Sequence, residues 1–253
     1  MLRGARGIGM AIGGTTVRRA PGKRPFIVRA LRALWRLATD RAYRRATWAV
    51  RTAPKAAFQP FNNTRPDRYP RVFAFVQSRL GAASETALLS FGCSTGDEVF
   101  SLRRYFPRAT IKGIDANKAN IAVCRRRARR TGDPRVGFAR ATSVREEPAV
   151  SYDAIFCMAV LRHGSLTADA ARCDHLIRFE DFATAVAEFD RCLKPGGFLA
   201  VVSSNFRFSD TATSANYETV LRRRTPATLV RFGSDNARLA PSDEEEVVFR
   251  KLP

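Results

Sequence analysis

From residue 86 the chain alternates short apolar runs with longer stretches whose apolar residues recur at helical spacing. That alternation is the pattern of a parallel α/β sheet. Leu88–Phe91, "TIKGID" (110–115), "RVGFAR" (135–140), "YDAIFCMAV" (152–160) and "FLAVVSS" (198–204) read as five strands. Between them Asp97–Tyr105, residues 117–130 and residues 180–193 read as helices, the last leading through "LKPGG" into the fifth strand. "TLVRF" (228–232) and "EVVFRK" (246–251) read as an antiparallel pair at the sheet edge. The expectation is a doubly wound, mostly parallel seven-stranded sheet.

Upstream the pattern changes. "RVFAFVQSRL" (71–80) reads as a helix with Gly81 just past its end. "FQPFNNTRPDRYP" (58–70), with three prolines and two asparagines, reads as a turn-rich connector. In residues 26–50 the apolar positions Ile27, Leu31, Leu34, Trp35, Ala38 and Ala42 fall at helical spacing, with arginines over much of the remaining surface. Residues 1–25 are rich in Gly, Arg and Pro and read as disordered.

Charge sharpens that boundary. The 253 residues hold 44 Lys and Arg against 23 Asp and Glu, a net +21. Residues 1–57 carry 14 Lys/Arg and one acid, Asp40, a surplus of 13; the remaining 30 Lys/Arg and 22 acids leave 8. Trp35 and Trp48 also fall in the first segment. Two domains are therefore expected: a basic, partly disordered extension with an amphipathic helix (1–57) and an α/β domain (58–253). A basic amphipathic helix suits an anionic membrane surface or an acidic partner, or else packs on the main domain with its arginines solvated.

The five cysteines, at 93, 124, 157, 173 and 192, form no Cys-x-x-Cys pair. The odd count and the lack of a secretory signal point to free thiols in a reducing, cytoplasmic setting, with peripheral membrane attachment open. The Arg-rich, acid-poor leader also resembles a mitochondrial transit peptide. No run approaches the ~18 apolar residues of a membrane span.

Candidate chemistry centres on "LLSFGCSTGDEVFSL" (88–102). In doubly wound sheets a ligand lies beyond the carboxyl ends of the strands, where the strand order reverses. Gly92 and Gly96 let the backbone turn tightly and approach a ligand closely. Ser94 and Thr95 offer hydroxyls to cap the following helix. Asp115, ending the second strand 23 positions after Gly92, stands where a carboxylate can accept both hydroxyls of a ribose, or can cap the next helix. A phosphate-binding P-loop needs a lysine that this loop lacks, and a dinucleotide site favours a third glycine where Ser94 stands. Asp97 and Glu98 disfavour an anion and suit a cationic, phosphate-free adenosyl ligand.

Taken with "IKGIDANKANIAVCRRRA", "YDAIFCMAVLRHG" and "RCLKPGGFLAVV", the loop resembles, in order and spacing, the motifs of class I S-adenosylmethionine-dependent methyltransferases over roughly residues 70–205. "GCSTGDE" is similar to the loop of chemotaxis-receptor glutamate methyltransferases, without that family's inserted β-subdomain. The resemblance implies a Rossmann-like methyltransferase fold with S-adenosyl-L-methionine as cofactor. It implies that Gly92, Cys93, Ser94, Thr95 and Gly96 embrace the methionine part and that Asp115 holds the ribose. Ala116 and Asn117 would lie beside the adenine, and Met158, Ala159 and Val160 would border the methyl. The chain departs from the family at Ser90, where an acid is usual, and after the third strand, where Thr142 or backbone would replace an adenine-binding aspartate.

An oxygen or nitrogen acceptor must lose a proton, for which His163, just past the fourth strand, is placed as a general base; the alternative is a structural histidine. Cys173-Asp174-His175 makes a poor metal trio, and no metal is expected. The arginines of "CRRRARR" (124–130) wrap more than one helix face and read as solvated surface, or else as a patch for an acidic partner. "SDEEE" (242–246) reads as a solvated loop. No nucleic-acid motif accompanies the basic residues. The expected function is methyl transfer to an unidentified acceptor, the rival being a non-catalytic adaptor docking on anionic membrane or nucleic acid through the basic N-terminus.

Overall fold

The computed structural model describes residues 64–82 and 85–253, together with Trp35, Ala38, Thr39, Phe58, Gln59 and Asn62. Two compact units divide the chain, Met1–Arg44 and Arg45–Pro253. In the first, Trp35, Ala38 and Thr39 are helical; the Thr39 hydroxyl donates to the Trp35 carbonyl at 2.8 Å, and the indole is exposed. The rest of the expected extension lies outside the described residues.

The second unit is built on seven strands: β1 (Ala87–Phe91), β2 (Thr110–Asp115), β3 (Val136–Arg140), β4 (Tyr152–Met158), β5 (Leu193–Val202), β6 (Tyr217–Arg224) and β7 (Glu244–Lys251). Their spatial order is β3-β2-β1-β4-β5-β7-β6. β7 alone runs antiparallel to its neighbours β5 and β6. β1, β4 and residues 197–202 of β5 are buried almost throughout, because both faces of the sheet are covered there, and read as near-continuous apolar segments, whereas β2 and the edge strand β3 are only partly buried. The order reverses between β1 and β4, the switch point at which α/β sheets hold ligands.

The helices α1 (Pro70–Leu80), α2 (Asp97–Tyr105), α3 (Lys118–Thr131) and α4 (Phe179–Cys192) cover the sheet. Pro70 fits the first turn of α1, where a missing N–H costs nothing. Asn117 caps α3, its side-chain oxygen accepting from the Ala119 and Asn120 N–H groups, and Gly132 ends it in the left-handed region. One apolar layer joins Val72, Phe73, Val99, Leu102, Ile121 and Cys124 to the sheet; the other joins Phe182, Val186 and Phe189 to its opposite side.

The last part of the fold corrects the sequence reading. The sixth strand is Tyr217–Arg224, whereas residues 228–232 form turns and one bridge from Phe232 to Arg238. "SDEEE" is not a solvated loop: Glu244, Glu245 and Glu246 open β7 and lie opposite Arg224, Arg223 and Arg222. Cross-strand charge pairing supports this ladder, and charge pairing leaves no apolar period for a sequence pattern to detect.

Candidate active site

The loop between β1 and α2 is tied to the neighbouring strand by backbone. The Gly92 and Cys93 N–H groups both donate to the Ile114 carbonyl, at 2.8 and 2.9 Å. Gly92 (φ +74°), Ser94 (φ 49°) and Gly96 (φ +91°) take positive φ, which turns the chain sharply into α2. A Cβ on Gly92 would stand 2.3 Å from Val160 Cγ2, so the loop and the segment after β4 pack with no room for a side chain. Gly96 is itself the N-cap of α2, which has no side-chain cap. Neither Ser94 nor Thr95 caps the helix as expected: the Ser94 hydroxyl faces the Asn62 oxygen at 3.5 Å, and the Thr95 carbonyl accepts from Arg127 at 2.7 Å.

Asp115 ends β2 with its carboxylate turned to this loop. Oδ2 accepts the Ser94 N–H at 2.8 Å, while Oδ1 accepts the Asn117 N–H at 2.8 Å and the Asn120 amide at 3.0 Å. Burial raises its pKa, and the three hydrogen bonds pull it back. A carboxylate offers about four lone-pair sites, so roughly one remains for an outside hydroxyl. Asn120 is held by Asn62 through a reciprocal amide pair, both bonds 2.9 Å. Asn62 comes from the connector, and nothing in its sequence pattern singled it out.

The other expected cofactor residues divide by exposure. Cys93 is buried; a hydrogen bond with Cys124, then burial, push its thiol well up, so only its backbone faces the loop's concave side. The Ala116 carbonyl accepts from Arg140 at 3.2 Å, and the Asn117 side chain is spent on its helix cap. Thr142 is exposed in the loop after β3, beside Ala141, whose N–H donates to the Asp115 carbonyl at 3.3 Å. Met158 and Ala159 are buried at the end of β4, with Ala159 in the left-handed region (φ 59°) and Val160 against Gly92.

The acids after the loop do not act as the charge pattern suggested. Asp97 is paired with Arg127 at 2.7 Å, and Arg127 also lies 4.4 Å over the Phe100 ring. That arginine of "CRRRARR" is therefore a clamp on the glycine loop and not solvated surface. Glu98 accepts a 2.7 Å hydrogen bond from the Ser90 hydroxyl, and burial pushes its pKa up to about 8 against the pull of Ser90 and Arg68. Ser90, which stands where an acid was expected, thus holds an acid supplied from α2. Neither residue presents an uncompensated negative charge at neutral pH, so the electrostatic case for a cationic ligand falls away.

His163 lies in the loop after β4. Its backbone N–H donates to the Asn205 side-chain oxygen at 2.7 Å, and its ring Nδ1 accepts from the Ser165 N–H at 3.3 Å. Burial, then His175, lower its pKa, which keeps the ring neutral near pH 7. With Nδ1 accepting, the neutral ring carries its proton on Nε2. Cys173 is buried with its sulfur on Asn236, and Asp174 pairs with Arg172 at 2.8 Å. Among the described residues no group of three His, Cys, Asp or Glu side chains is assembled to hold a metal ion. All five cysteines are buried free thiols. No helix among the described residues is long and apolar enough to cross a membrane.

The segment that supplies this site, residues 89–201, matches the family model of the methyltransferase domain. Over that segment, a little under half of the chain, the sequence is similar to methyltransferase domains. No curated protein matches the chain. Among solved structures the chain is similar to the [4+2]-cyclase SpnF, at 20% identity and TM-score 0.48, covering 63% of this chain and 61% of that one. It is similar to the YcgJ protein of Bacillus subtilis, at 15% identity and TM-score 0.47, covering 73% and 100%. Geranyl diphosphate C-methyltransferase from Streptomyces coelicolor A3(2) matches at 19% identity and TM-score 0.39, covering 52% and 44%. The chain thus spans less than two thirds of the cyclase and of the C-methyltransferase.

Proposed function

We propose that this protein binds S-adenosyl-L-methionine at the β1–α2 loop and transfers its methyl group to an acceptor held beyond β4 and β5. The observation that carries the reading is Asp115, whose carboxylate meets the Ser94 N–H of the glycine loop at 2.8 Å, at the point where the strand order reverses. The loop fits such a ligand because Gly92, Ser94 and Gly96 turn it sharply at positive φ and Val160 packs against Gly92 at its base. Asp115 retains a lone pair for a ribose hydroxyl, while Gly92, Ser94 and Gly96 line the loop and Met158, Ala159 and Val160 stand at the end of β4. When bound, the cofactor supplies an electrophilic methyl group on a sulfonium.

The chain's own contribution is chiefly positioning. His163 is the proposed base for an acceptor proton, through Nδ1 once that atom is released from Ser165. The whole activity, and the acceptor with it, belongs to this proposal. Calorimetric titration tests it. Wild type should bind the cofactor, and Asp115→Ala should weaken binding about tenfold or more, since hydrogen bonds to a charged group contribute about 1.5–3 kcal/mol. Absence of binding to wild type overturns the reading.

A further inference from the structure

Beside the end of β4 lies a cluster of guanidinium groups that the proposed function does not use. Tyr69, immediately before α1, is buried in the same apolar layer as Met158 and Ala159. Its ring is flanked by two cations, with Arg68 Cζ 5.2 Å and Arg223 Cζ 5.6 Å from the centroid. Arg223 also donates to the Ser203 hydroxyl at 2.8 Å, just past the end of β5, and pairs with Glu245. Arg231 shares that carboxylate at 3.0 Å. Glu245 is only 2% exposed, so its charge is consumed by these two arginines.

Arg162 completes the group. It follows Ala159 by three residues, its Nε is buried without a hydrogen-bond partner among the described residues, and it lies in the fields of Tyr69, Arg68 and Glu245. Two arginines thus share one carboxylate, and Arg162 lies close enough to feel its field. Glu98, the other acid acting on Tyr69, is held mostly protonated near pH 7. A half-buried guanidinium with a buried, unmet N–H, beside other arginines, is costly unless an anion joins it. Its planar fork matches a carboxylate or a phosphate.

We propose that Arg162, with Arg68 and Arg223 against the Tyr69 ring, binds the anionic group, carboxylate or phosphate, of the molecule that accepts the methyl. This rests on the methyltransferase reading for the location of transfer, at the ends of β4 and β5. It assigns the acceptor to a chemical class: a molecule carrying a negative charge a short distance from its nucleophilic atom.

The test is thermal denaturation of the full chain at fixed ionic strength, with chloride replaced by inorganic phosphate in one arm and by benzoate in the other. At about tenfold excess over Kd, at least one anion should raise Tm by about 3 °C. A response to phosphate alone or to benzoate alone identifies the source of the charge. Arg162→Gln should weaken that response about tenfold in apparent Kd, and Arg162→Lys should retain part of it. Hydrogen exchange on wild type gives a readout that needs no variant: the anion should protect residues 158–165. No shift beyond chloride, or an equal shift in Arg162→Gln, overturns the proposal, the latter assigning the anion to the basic residues elsewhere. Titration with S-adenosylhomocysteine separates the two readings: Arg162→Gln should bind it like wild type, whereas its failure with wild type strikes the cofactor assignment alone.

Discussion

At the scale of single residues, Glu98 is the most consequential side chain that the pattern did not explain. Its carboxyl titrates near pH 8 in the folded chain against an ordinary value of 4.5. The folded state therefore binds the proton more tightly than the unfolded state, so stability is fully present below about pH 4.5 and is lost as pH rises towards 8. Glu98→Gln fixes the neutral form. Thermal denaturation should find it close to wild type at pH 5 and more stable than wild type at pH 8.5; equal pH profiles would remove the buried acid from the account. Gly92 and Asp115 were legible in the sequence because a tight turn admits few residue types and a strand-ending acid stands out. The Ser90–Glu98 bond and the Arg127 clamp were not, because serine, glutamate and arginine suit many environments. Only the fold brings Arg127 to Asp97, 30 positions away.

At the scale of elements, β1, β4 and the end of β5 were readable for a simple reason: covered on both faces, they are apolar almost throughout. The edge was not, because β6 is held to β7 by arginines facing glutamates, and such a ladder looks like solvated surface. "TLVRF" misled for the opposite reason. Its apolar character serves one anchor, Phe232, fully buried in the layer that also holds Phe182 and Phe206, while Thr228 is exposed. Phe232→Ala should cost about 3–5 kcal/mol by chemical denaturation, and Thr228→Ala should stay within about 0.5 kcal/mol of wild type. Comparable losses at both positions would restore a strand-like role to the segment.

For the whole molecule, charge is the property that separates this chain from an ordinary α/β protein. Many of the described arginines are engaged internally: Arg127 with Asp97, Arg222 with Glu246, Arg223 and Arg231 with Glu245. The surplus of 13 in residues 1–57 has a single acid near it in sequence. This surplus predicts that the full chain sediments with vesicles containing an anionic phospholipid and not with neutral ones. Binding should fall steeply between 50 and 500 mM salt, as the screening length drops from above ~10 Å to a few ångströms. Retention on neutral vesicles, or insensitivity to salt, would exclude an electrostatic attachment.

The amide pair between Asn62 and Asn120 has a consequence for recognition. A ribose approaching Asp115 with two hydroxyls needs two acceptor positions, and one of those is held by Asn120, itself held by Asn62. Full engagement is then an exchange of hydrogen bonds, in which the sugar displaces from Asp115 the Asn120 amide that Asn62 holds in place. Ligand affinity and the order of the connector become two readings of one equilibrium. Removing the anchor should favour the sugar: Asn62→Ala is expected to bind the cofactor more tightly than wild type in calorimetric titration. Weaker binding would mean that the connector holds the ligand and does not compete with it.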